Sequence, residues 1–120
     1  MFSDAVQRFA SDARYTGPLD TATHEGVAGT PGDGPYMIVW LEVSEGNIQR
    51  AAYQTYGCIA SMACGSLTSA LVTGRTVEQA KRLTADDLVL ILEGLPEGKG
   101  HCPQLAIEAL KAALAGGDRI

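Results

Sequence analysis

The segment "PYMIVWLEV", residues 35–43, alternates its side chains between two faces, with a repeat of two residues. Such a period is typical of a β-strand, and because only Glu42 makes the second face polar, it favours a central strand. The turn residues "SEGN" follow, and "NIQRAAYQTY" then alternates again, with Ile48, Ala52 and Tyr56 assigned to one face. The two segments therefore predict a β-hairpin.

A weaker strand signal precedes the hairpin, and helical signals follow it. The glycines and threonines of "TATHEGVAGT" predict an edge strand. Apolar and small residues recur at helical spacing after Ile59, and Thr76 and Thr84 are helix-capping residues. The last helix is predicted to begin with Pro103 and to end near "AGGD". This order predicts an α+β fold, in which a small three-stranded antiparallel sheet from the N-terminal half is covered on one face by helices from the C-terminal half.

Length and charge limit the classes of function. The chain has 120 residues, 46% of them hydrophobic, which suits one domain spanning residues 1–120. Its net charge is −5, so we expect no nucleic-acid partner. Its apolar runs are far shorter than the roughly 20 residues of a membrane span, and no leader pattern precedes them. We therefore expect a cytoplasmic protein without a membrane partner.

The sequence contains three cysteines, too few and too odd a number for a disulfide framework. Cys58 and Cys102 each lie at or just before the amino end of a predicted helix, where free N–H groups and the helix dipole stabilise a thiolate. His101 adds an imidazole beside Cys102. Metal binding or sulfur chemistry is therefore one interpretation, and burial as small apolar residues is the other. Cys64 lies about 240° around its helix from Cys58, which favours simple burial.

Several motifs together resemble a known family. They are "TYGC", "SLTSALVTGRTVEQA" and "LPEGKGHCPQLAIEALKAAL", preceded by "YTGPLD" and "GVAGTPGDG". In order and spacing, from Tyr15 to Leu114, they are similar to the U-type iron-sulfur cluster assembly scaffolds, the family of IscU, SufU and the amino-terminal domain of NifU.

The resemblance implies a scaffold that is not an enzyme. It would build a transient cluster, of the [2Fe-2S] type, from iron and from sulfur that a cysteine desulfurase delivers as persulfide, and would pass the cluster to acceptor apoproteins. The family's second ligand cysteine falls on Cys58, its His-Cys pair on His101 and Cys102, and its preceding lysine on Lys99.

Two departures from the family pattern stand out. Where the family has G-x-P-x-C-G-D, this chain has "GTPGDGPYM", so the first cysteine is missing. Asp33 falls either on that cysteine or, after a shift, on the family's aspartate. The chaperone-recognition segment L-P-P-V-K becomes "LPEGK", where Glu97 and Gly98 replace a rigid apolar centre, which weakens the case for an Hsp70-type chaperone as a partner.

The predicted metal ligands are thus Asp33, Cys58, His101 and Cys102. A carboxylate oxygen is a harder ligand than a thiolate, so we expect a more labile cluster than an all-cysteine site would hold. Two alternatives stay open. The same four ligands suit a mononuclear zinc or iron site in a regulatory protein that no longer builds clusters. Cys58 or Cys102 could also act as a persulfide acceptor in a sulfur relay.

Overall fold

The computed structural model describes residues 2–96 and 99–116. Its three strands are β1 (His24–Gly29), β2 (Tyr36–Ser44) and β3 (Asn47–Tyr56). The helices are α1 (Asp4–Ser11), α2 (Ile59–Val72), α3 (Val77–Ala80), α4 (Ala85–Ile91) and α5 (His101–Gly116), with a 3-10 turn at Ala13–Tyr15. The prediction of an α+β fold is confirmed. No helix among these residues is long and apolar enough to cross a membrane.

The strands form an antiparallel sheet in the order β1-β2-β3, so the predictions of β2 as the central strand and β1 as an edge are confirmed. One detail of the hairpin was wrong. Glu42 pairs with Arg50 but Val43 pairs with Ile48, so Gln49 is an extra residue in β3. This β-bulge turns Ile48 toward the core together with Ala51, and not together with Ala52 as predicted.

Helices α5 and α2 cover one face of the sheet. That face contributes the fully buried side chains of Met37, Val39 and Leu41 to the core. At Gly26 of β1 the backbone of α5 comes so close that a β-carbon would lie 2.1 Å from the Ala113 nitrogen. On the opposite face Trp40 is buried against Gly17 and donates a hydrogen bond to Glu25, at 2.9 Å. The sequence between α1 and β1 therefore covers part of the face that the helices leave open.

The helix starts follow the capping signals with two exceptions. Thr76 forms the predicted capping box with Gln79, and Thr84, which was predicted to precede a helix, forms a capping box with Asp87. Helix α1, which packs on α2, was not predicted. Helix α5 begins at His101, two residues before the predicted start at Pro103. A proline is tolerated throughout the first turn because its missing N–H would have no intrahelical partner there.

Candidate functional site

Three segments with candidate ligands lie at the same end of the sheet. Gly29, Tyr36 and Tyr56 lie side by side across the three strands. The loop of residues 30–35, which contains Asp33, therefore starts at the same end of the sheet as Gly57, the residue that connects β3 to Cys58. Helix α5 reaches this end as well, because Ser61 in the first turn of α2 contacts Cys102 in the first turn of α5. The sheet and the two helix starts thus bring together residues that are far apart in sequence.

Cys58 is the residue immediately before α2, and its side chain is half-buried. Its sulfur makes no capping hydrogen bond to the start of α2. Burial opposes its ionisation, but the N–H groups of Ser61 and Ala60, the Cys102 side chain and the charge of Lys99 together lower the pKa of Cys58 below its ordinary value. The predicted thiolate character of Cys58 therefore has a local cause in the unpaired N–H groups at the start of α2.

Cys102 lies fully buried in the first turn of α5. Its sulfur accepts a hydrogen bond from the Ser61 hydroxyl at 3.4 Å and lies 3.6 Å from Nε2 of His101. Burial raises the pKa of Cys102, and although Ser61 and Lys99 act in the opposite direction, a negative charge on Cys58 raises it further. Of the two thiols, Cys58 therefore ionises more readily than Cys102.

The other two candidate residues differ in their placement. Asp33 is exposed in the loop after β1, between Gly32 and Gly34, which both have φ of 89°, and its N–H donates to the Thr30 carbonyl at 2.9 Å. Cys64 is completely buried in the core, and burial together with the charges of Cys102 and Cys58 raises its pKa to about 12. The predicted burial of Cys64 is confirmed. The role of Asp33 as a ligand stays a prediction.

The donor types suit iron and zinc, since cysteine thiols and an imidazole are typical ligands of both metals. Within residues 2–96 and 99–116, however, no three histidine, cysteine or acidic side chains are gathered into one metal-binding group. The arrangement is a cysteine pair with a neighbouring imidazole. A complete ligand set would need His101 to turn inward or the Asp33 loop to approach.

Sequence reasoning missed Ser61, which touches the site directly. Its hydroxyl is the donor to the Cys102 sulfur, and its side chain is 1% exposed. The available signal was its position, one turn after Cys58, which places a polar residue at the start of α2 near the candidate ligand. The partner of that hydroxyl could not be known without the packing of α2 against α5.

Comparison with known proteins bears on this site. The family model described as "NifU-like N terminal domain" matches residues 1–117. The chain belongs to this family. Its relatives include the iron-sulfur cluster assembly scaffold proteins IscU of Azotobacter vinelandii, at 35% identity over 94% of this chain and 91% of that protein, and of Escherichia coli K12, at 34% identity over 95% and 91%. A Drosophila melanogaster relative at 34% identity, covering 96% of this chain and 77% of that protein, is named iron-sulfur cluster assembly enzyme IscU.

Solved structures show the same NifU-like fold. A protein from Fervidobacterium islandicum, described as an assembly scaffold for the SUF system, superposes with a TM-score of 0.76 at 14% identity, covering 94% of this chain and 96% of that one. The amino-terminal part of a NifU-like protein from Brucella abortus gives a TM-score of 0.58 at 21% identity, covering 94% and 81%. At these identities the likeness concerns the fold alone.

Proposed function

We propose that this NifU-like chain is an iron-sulfur cluster assembly scaffold, on which Cys58, Cys102 and His101 hold the cluster while it forms. The observation that carries the proposal is the contact of the Ser61 hydroxyl with the Cys102 sulfur, at 3.4 Å, which joins the first turns of α2 and α5 and brings Cys58, the residue before α2, to the same end of the molecule. Membership in the NifU-like family and the scaffold names of its relatives support it. The chain acts as a platform for the cluster, which is its cargo, and not as a catalyst.

Sulfur reaches this site through Cys58 in our proposal. Cys58 keeps some exposed surface, whereas Cys102 has none, so Cys58 is the thiol that a protein donor meets first. The Cys58 thiolate would attack the outer sulfur of a persulfide on a cysteine desulfurase, so that a new S–S bond forms on Cys58 and the donor's thiolate leaves. Mass spectrometry after incubation with a desulfurase and cysteine should find the added sulfur on a peptide containing Cys58.

Asp33 completes the ligand set in the proposed site. Its loop starts at the end of the sheet from which β3 leads to Cys58, and its side chain is exposed. A harder oxygen ligand at this position makes the cluster labile, which suits transfer to acceptor apoproteins. The chaperone-recognition segment keeps Leu95, Pro96 and Lys99, while Glu97 and Gly98 lie outside the described residues. The substitutions of Glu97 and Gly98 weaken the case for an Hsp70-type chaperone as a partner in the proposed cycle.

Anaerobic incubation with ferrous iron and sulfide tests the proposal. We expect near-equal amounts of bound iron and sulfide and a visible charge-transfer absorption. A protein that retains zinc or iron in one equivalent without sulfide would contradict the scaffold function. That result would support the mononuclear alternative, which the carboxylate at position 33 favours on ligand chemistry.

A further inference from the structure

Resting on the metal site proposed above, we propose that Ser61 is a positioning residue of that site. Its buried hydroxyl donates to the Cys102 sulfur, orients that sulfur toward a bound metal, and tunes the strength of the metal–sulfur bond. The hydroxyl acts through Cys102 and is not itself a ligand.

The direction of the Ser61 hydroxyl is unusual for this chain. In a helix, a serine or threonine hydroxyl commonly donates to the carbonyl four residues earlier. Ser11, Ser69 and Thr73 do so, at 2.8, 2.9 and 2.7 Å. Ser61 instead donates across to another helix, at 3.4 Å from the Cys102 sulfur. The hydroxyl thus donates to a partner 41 residues away in sequence and not to a carbonyl of its own helix.

The residue before Cys58 makes room for this arrangement. A β-carbon at Gly57 would lie 2.7 Å from the Ser61 oxygen and 3.1 Å from its β-carbon, closer than side chains tolerate. Ser61 is 1% exposed and Cys102 is fully buried, so water does not compete for the bond. Gly57 therefore leaves the space that the Ser61 hydroxyl occupies, and the buried Cys102 sulfur is the partner to which it donates.

The chemical consequence follows from the charge that a thiolate ligand carries. A sulfur bound to a metal keeps lone pairs, and a hydroxyl that donates to it stabilises its negative charge. Residues that hydrogen-bond to metal ligands typically change metal affinity by about 10- to 100-fold, and hydrogen bonds to sulfur raise the reduction potential of iron-sulfur clusters. Ser61 should therefore orient the Cys102 sulfur toward the metal. It should also reduce the charge that this sulfur donates to the metal.

The test compares Ser61→Ala with Ser66→Ala, using Co²⁺ as the probe. Ser66 lies in the same helix, is also fully buried, and its hydroxyl has no hydrogen-bond partner among the described residues, so its removal is a matched change without a sulfur contact. Both variants should fold, because alanine favours a helix, and circular dichroism checks this. We expect Ser61→Ala to bind Co²⁺ about 10-fold more weakly and to move the thiolate-to-cobalt absorption band to lower energy. Ser66→Ala should match the wild type in both measurements.

Three outcomes would overturn the inference. Ser61→Ala could leave the band and the affinity unchanged, both variants could weaken binding equally, or the wild type could show no cobalt–thiolate band. Failure of the scaffold function itself would look different, since the wild type would then bind Co²⁺ through thiolates but gain no sulfide. In proteins that do carry a cluster, Ser61→Ala should lower its reduction potential relative to Ser66→Ala.

Discussion

Substituting Gly26 by alanine should loosen the attachment of α5, the helix that carries His101 and Cys102. In the structure a β-carbon at Gly26 would lie 2.1 Å from the Ala113 nitrogen and 2.3 Å from the Ala109 oxygen. Ordinary van der Waals contact begins near 3.4 Å. Because both clashing atoms belong to backbone, no side chain can turn away, and α5 must move off the sheet by roughly an ångström.

The expected cost follows from what α5 buries. Overpacking a core typically costs about 1–3 kcal/mol, and this case should fall in the upper part of that range. Displacing the helix also loosens Ala106, Ala109, Leu110 and Ala113, which are all fully buried. We therefore expect Gly26→Ala to reduce the free energy of unfolding by about 2 kcal/mol or more. Urea denaturation followed by circular dichroism would measure it as a lower midpoint.

Gly116→Ala is the matched control, because it adds a β-carbon to the same helix–strand interface. That atom would lie 3.4 Å from the backbone oxygen of Glu25, which is at the limit of ordinary van der Waals contact. We expect a change within about 0.5 kcal/mol, as for most uncrowded substitutions. If Gly26→Ala were as stable as Gly116→Ala, the close seating of α5 on β1 would be refuted.

Three further predictions concern single side chains. Burial raises the pKa of Cys64 to about 12 from an ordinary 9.0, so the stability that the protonated thiol contributes is complete below about pH 9 and is lost as the pH rises toward the folded pKa. Between about pH 9 and pH 10.5, the urea midpoint of Cys64→Ala should therefore fall less than that of the wild type. Equal falls in the two midpoints would contradict this. Burial raises the pKa of Cys58, and the charge of Lys99 is among the effects that lower it below its ordinary value. Lys99→Gln should therefore slow the alkylation of Cys58 by iodoacetamide at neutral pH about two- to threefold, whereas Lys111→Gln should not. Asp33→Ala should lower the iron retained after reconstitution without changing the unfolding midpoint, because Asp33 is exposed; iron retention equal to that of the exposed control Asp20→Ala would exclude Asp33 as a ligand.

Local signals predicted most of the fold. The two alternating segments specify β2 and β3 because a period of two presents one apolar face, and the Thr76 and Thr84 capping boxes depend only on residues within one turn. The bulge at Gln49 was not predictable in this way, since it depends on how β3 pairs with β2. Helix α1 has local signals in Ser3 and Asp4, but its apolar stripe spans only eight residues.

The candidate site was predictable in its ligands and not in its geometry. Cys58 and Cys102 stand out because helix starts stabilise thiolates, His101 stands out beside Cys102, and the resemblance of the motifs implies the roles that these residues have in the family. The complete burial of Cys102 and its bond to Ser61 arise from the packing of α2 against α5, two helices whose contacts join residues 41 positions apart. No local pattern contains that information.

The most direct test of the central claim is the cluster content of three matched cysteine variants. Cys58→Ala, Cys102→Ala and Cys64→Ala would each be incubated anaerobically with iron and sulfide, and bound iron and sulfide would be measured beside the visible spectrum. The account predicts that Cys64→Ala gains near-equal iron and sulfide like the wild type, because Cys64 lies in the core, while the other two variants gain little of either. Equal cluster content in all three variants would contradict it, since the cluster would then not form on the Cys58–Cys102 pair.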